Sequence, residues 1–175
     1  MKKILVLALL LSYAVSPAGF AAKQKPSAID MTNIHRVFLG WVEISSDNYH
    51  EQGYRNREEW LNVIGEANRN FSKNCQELKG LAGRTVTVAK DKDDVSTSGN
   101  DLYIKFTDAQ VDRKYRLHVA VHFIDLKTNA EIGSVPLEVY KAHFCGLVGC
   151  IDKELEEVRQ NIGKQLGGDT APEKK

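Results

Sequence analysis

Cysteine is scarce in this 175-residue chain, with three residues at Cys75, Cys145 and Cys150. That is too few for a disulfide-dense scaffold. An excess of one charge is missing as well. Lysine and arginine number 24 against 23 aspartates and glutamates, a formal net charge of +1, so there is no electrostatic footprint for nucleic acid and no basic patch for a membrane surface. Long apolar runs are absent too. The marked run, Ile4 to Leu11, falls well below the roughly 20 residues that span a bilayer. Catalytic and metal signatures are equally thin. No G-x-S-x-G turn occurs, no serine stands beside a matched histidine and acid, and no ligand spacing fits a zinc signature. Asp91, Asp93 and Asp94 lack the glycine and distal glutamate of a calcium loop. No internal repeat or cofactor motif is present, and no specific reaction is written in the residues.

What is present begins with an address. Lys2 and Lys3 precede the apolar run, Ser16-Pro17 breaks it, and small residues follow from Ala18 to Ala22. This reads as a secretory signal peptide over residues 1–21, cut after Ala21. Losing Lys2 and Lys3 changes the formal charge from +1 to −1, since 1 − 2 = −1. No cysteine stands near the cut to carry a lipid. The expectation is a soluble mature chain in a bacterial periplasm, without stable membrane insertion. A 42% hydrophobic and 27% charged composition suits one soluble globular domain.

Residues 22–34 read as a flexible lead-in, residues 35–168 as the domain, and residues 169–175 as a disordered tail. The clearest stretch is Lys114 to Tyr140, where two runs of two-residue alternation flank a polar break at Lys127 to Ala130, as in a β-hairpin. Leu117, Val119, Val121 and Phe123 would face a core; His118 and His122 would face away. A strand is expected in His35 to Ile44, and a helix from Asn56 as N-cap, with Glu59 completing a capping box. Its apolar stripe is Trp60, Ile64, Ala67, Phe71, Cys75 and Leu78, with Gly80 as terminator. Strands follow at Arg84 to Ala89 and Asp101 to Asp112. A bend over Ala142 to Cys150 then leads into a last helix with stripe Ile151, Leu155, Val158, Ile162 and Leu166, and with Asp152 and Glu154 near its positive end. The predicted fold is α+β in the order β-α-β-β-β-β-α: a two-layer sandwich whose mostly antiparallel sheet carries both helices on one face. One β-α-β crossover precedes an antiparallel meander.

Three groups of side chains stand out. Cys145 and Cys150 enclose two glycines, and an oxidising compartment favours a disulfide between them; a bond from either to Cys75, or free thiols, are the alternatives. Tyr49, His50, Tyr54 and Arg55 lie in a long loop and suit a partner-binding surface, or equally a loop folded back on the sheet edge. His118, His122 and His143 are the candidates for a metal- or small-ligand-binding alternative. His118 and His122, four apart on a strand, have Cβ atoms about 13 Å apart, too far to share one ion unaided.

The element order and the turn Asp125-Leu126-Lys127-Thr128-Asn129-Ala130-Glu131-Ile132 resemble the small exported α/β domains of the TolB amino-terminal domain and the curli-secretion lipoprotein, periplasmic families in which a strand ends in a D-x-x-T-G-E-type turn. Asn129-Ala130 departs from the Thr-Gly form, although Asn tolerates the left-handed backbone that Gly supplies. The resemblance implies an envelope accessory or interaction domain with a protein partner rather than an enzyme.

Overall fold

β1, Arg36–Gly40, forms where β-branched and aromatic residues are densest. The computed structural model describes residues 28–47, 49–89, 94–95, 99–140 and 146–167, with side chains from residue 151 onward in the last helix. After β1 come α1 (Arg57–Cys75), a 3₁₀ turn (Lys79–Leu81), β2 (Thr85–Ala89), β3 (Asp101–Val111), β4 (Arg116–Asp125), β5 (Ala130–Tyr140) and α2 (Gly146–Gln165). This is the expected order, and the chain is an α+β protein.

The sheet is mixed, in the order β2-β1-β3-β4-β5. β1 pairs parallel with both β2 and β3, whereas β3, β4 and β5 pair antiparallel in sequence order. The antiparallel meander therefore starts at β3, one strand later than expected. Chirality accounts for the difference. α1 carries the chain from β1 to β2 across one face, so a return past β1 to β3 with the same hand must cross the other face. Val95, in that return, packs against Phe38, Ala89, Tyr103 and Leu126, and Phe38 and Tyr103 are register partners on the side away from the helices.

On the helix side lies the main core. Leu117, Val119, Val121 and Phe123 are buried there with Val37, Leu39, Leu102 and Ile104, and the stripes of α1 and α2 belong to the same cluster. Asn56 caps α1 as its spacing predicts: its Oδ1 accepts from the Glu59 N–H at 2.8 Å, and Glu59 Oε2 accepts from the Arg55 N–H at 3.1 Å.

Several boundaries differ from the sequence reading. Packing among the described residues already includes part of the stretch read as a lead-in. Ile29 and Met31 insert into the core, the Ile29 N–H donates to the Gln165 carbonyl at 2.8 Å, and Arg84 donates to the Met31 carbonyl at 2.6 Å. α2 begins at Gly146, so Gly146 and Gly149 lie in helix rather than in a bend. Glu154 consequently sits two turns inside the helix instead of near its positive end. Gly80 is no terminator of α1, which ends at Cys75 with Gln76 as cap. It is required by contact: a Cβ there would lie 2.7 Å from Leu166 Cβ and 2.8 Å from the Leu166 carbonyl oxygen.

Candidate functional site: the open face of the sheet

Alternation along β4 puts Arg116, His118, Ala120 and His122 on the face opposite the helices, each half-buried. Cross-strand register sets their neighbours. Lys105 and Ser134 flank His122, Gln110 and Glu138 flank His118, and Tyr140 stands beside Arg116. The β1–β3 half of this face is covered by the small apolar cluster around Phe38 and Tyr103. The β3–β5 half is polar, and charge pairing orders it.

Asp112, in the turn between β3 and β4, is the hub. Its Oδ1 accepts from the backbone N–H of Lys114 at 2.7 Å and of Arg116 at 3.1 Å, an Asx-type turn. Its Oδ2 accepts from Arg116 Nε at 2.7 Å and lies 3.1 Å from His118 Nε2. Arg116 also bonds Glu138, and His118 Nδ1 lies 4.0 Å from the same carboxylate. Desolvation raises the Asp112 pKa, but hydrogen bonds from Arg116, His118 and the backbone outweigh it and hold the carboxyl well below the usual range. The Arg116 guanidinium is correspondingly raised, chiefly by its hydrogen bond to Asp112.

A second cluster surrounds His122. Its Nε2 is 2.9 Å from Thr107 Oγ1 and its Nδ1 2.9 Å from Glu131 Oε2; Thr107 in turn donates to Asp108 at 3.0 Å. Hydrogen bonds from Ser134 first, and then from His122, lower the Glu131 pKa. Each imidazole thus has its own acidic partner, so the structure does not bring His118 and His122 together. His143 lies outside the described residues. Among the described residues, no three His, Cys, Asp or Glu side chains are placed to hold a metal ion.

The loop aromatics are placed differently from one another. Tyr54 is 5% exposed and packs tilted against Trp60 with ring centroids 4.8 Å apart, while Tyr49 is half-buried against the core and lies tilted against His50 at 3.8 Å. Tyr54 is therefore a core residue packed on α1; His50 and Arg55 are exposed. Gln52, in the same loop, is buried and donates to the Asp112 carbonyl at 3.2 Å, tying the loop to the hub.

Cys75 is a free thiol, fully buried, and burial pushes its pKa up to about 12. Cys145 and the side chain of Cys150 lie outside the described residues, and so does the expected bond between them. Sequence reasoning missed Asp112, Gln52 and Asn68. For Asp112 a signal was available: an Asp two residues before Lys114 and four before Arg116, at the start of an alternating strand, is Asx-turn chemistry.

Among the described residues no helix is long and apolar enough to cross a membrane. No family model matches the chain, and no curated protein does. Solved structures with a similar course of chain include bacterial ones. A neuraminyllactose-binding hemagglutinin homolog from Helicobacter pylori aligns at TM-score 0.45 and 13% identity over 84% of this chain and 91% of that one. A PelC dodecamer from Paraburkholderia phytofirmans aligns at 0.43 and 10% over 83% and 95%, and a DUF330 protein from Xanthomonas campestris at 0.41 and 6% over 78% and 87%. At these scores none carries a functional argument, and the TolB and curli-lipoprotein resemblance gains nothing specific from them.

Proposed function

We propose that this chain is an exported, periplasmic, non-enzymatic domain that works through protein contacts in the bacterial envelope. In this reading it is a two-layer sandwich of the TolB-amino-terminal kind, and its contact surface is the polar half of the open sheet face. The supporting observation is the pair of braced clusters on that half. Asp112, Arg116, His118 and Glu138 are fixed to one another, as are Thr107, His122 and Glu131, and the helices pack on the opposite side. A sheet surface with its charges already ordered pays little side-chain entropy on docking, and charge complementarity across such a face gives specificity and orientation.

A charge swap tests this. Lys105→Glu with Glu138→Lys changes two exposed residues of the face at a cost of less than about 1 kcal/mol in stability, because exposed pairs are weak. Affinity purification of the mature chain from an envelope extract is expected to recover at least tenfold less of its specific partner with the swapped protein. Undiminished recovery would rule out this face.

A further inference from the structure

α2 carries a carboxylate where its apolar stripe predicts none. Glu154 lies three residues after Ile151 and four before Val158, is 1% exposed, and has one oxygen, Oε2, without a hydrogen-bond partner among the described residues. Ile151 and Leu155 beside it are buried in the core. An ionised carboxylate with an unpaired oxygen is heavily penalised in such a place, so the group must either be neutral or leave. Among the described residues, the charges that act on it do not help. Asp112, from the β3–β4 turn, and Glu157, from its own helix, both act to raise its pKa. The cation near Asp112, Arg116 on β4, is committed to Asp112 and Glu138, and His118 to Asp112. On the α1 side, Cys75 feels Arg159 and Glu156 further along α2, and Arg159 is paired with Glu156 at 2.6 Å.

We infer that Glu154 is a proton-operated latch: protonated, it lets the turn of α2 that carries Ile151, Glu154 and Leu155 dock on the core; ionised, it favours release of that turn into water. Burial, and after it Asp112 and Glu157, push its pKa up to about 8. In an opened helix the group returns to the ordinary carboxylate range. The docked form is therefore favoured fully below about pH 4.5, loses its advantage as pH rises, and has lost it by about pH 8. An exported protein meets pH changes of this size directly, and the latch turns them into a change in α2 docking whatever surface binds a partner.

Hydrogen exchange of the full mature chain tests the latch. Corrected for intrinsic rates, protection of α2 amides around Glu154 is expected to fall roughly tenfold per pH unit between pH 6 and 8 and then to level off. α1 amides should change far less. In Glu154→Gln, a neutral near-isostere, the α2 profile is expected to be flat. The side-chain carboxyl carbon of Glu154, followed by NMR in the wild type, should titrate well above the ordinary carboxylate range and provides a readout that needs no variant. Titration near pH 4.5, or the same pH profile in Glu154→Gln, would overturn the proposal.

Discussion

A single amide side chain holds the end of β1. Asn68 is fully buried on α1. Its Oδ1 accepts from the Val42 N–H at 2.8 Å, and its Nδ2 donates to the Val42 carbonyl at 3.0 Å and to the Ile64 carbonyl at 3.1 Å. Asn68 thus replaces the neighbouring strand that Val42 lacks beyond β1. Removing it orphans the Val42 N–H inside the core, while the Val42 carbonyl keeps the Ile44 N–H at 3.1 Å, so Asn68→Ala is expected to lower unfolding stability by about 2 kcal/mol, read as a lower urea midpoint at unchanged slope. A loss below about 1 kcal/mol would mean that water reaches Val42. From the sequence, Asn68 reads as an off-stripe polar residue, because its partner is 26 positions away and local periodicity carries no such information. Asn129 is the opposite case. Its left-handed φ of 55° is what a hairpin turn lacking glycine demands, and this was legible from four neighbouring residues.

Elements were easier to read than their contacts. The α1 stripe was visible because a period of 3.6 records which side a helix buries, and all six stripe residues from Trp60 to Leu78 are in the core. The strand order was less legible, since a β2-to-β3 connection across the sheet looks in sequence like any polar loop. Gly80 shows how two elements meet. It reads as a helix stop, yet the 3₁₀ turn after α1 abuts the end of α2 at Leu166, where a Cβ would meet the backbone oxygen at 2.8 Å. Backbone cannot yield as a flexible side chain does. Gly80→Ala is therefore expected to destabilise by about 1–3 kcal/mol and to lower the thermal midpoint, whereas Gly83→Ala, with nothing within 4 Å but a φ of +76°, should cost about 1 kcal/mol through backbone strain alone. Equal losses would show that α2 does not press on this turn.

At the scale of the whole molecule the sheet divides the labour. One face buries the helices, and the other is part apolar patch under the β2–β3 return and part charged field on β4 and β5. The alternation of β4 announced that division, because Leu117, Val119, Val121 and Phe123 leave His118 and His122 no place but the other side. The bracing of the field was hidden. It depends on register partners on β5 and on Asp112 in a turn, which pairing alone brings together. Glu154 was hidden by its own helix boundary: counted from Gly146 it is a core position, counted from Ile151 it is a helix-start acid. The β5 edge carries Pro136, and a strand-edge proline discourages strand addition along that edge.

Site-specific photo-cross-linking in living cells can distinguish the polar field of the sheet from the helix side as the contact surface. A photoreactive residue placed at Lys105 or Ser134 on the polar field, or at Glu66 or Arg69 on the outer side of α1, samples the two surfaces in the same folded protein. A discrete higher-mass adduct is expected from the Lys105 and Ser134 positions and none from Glu66 and Arg69; adducts confined to the α1 positions would show that the polar field is not the contact surface.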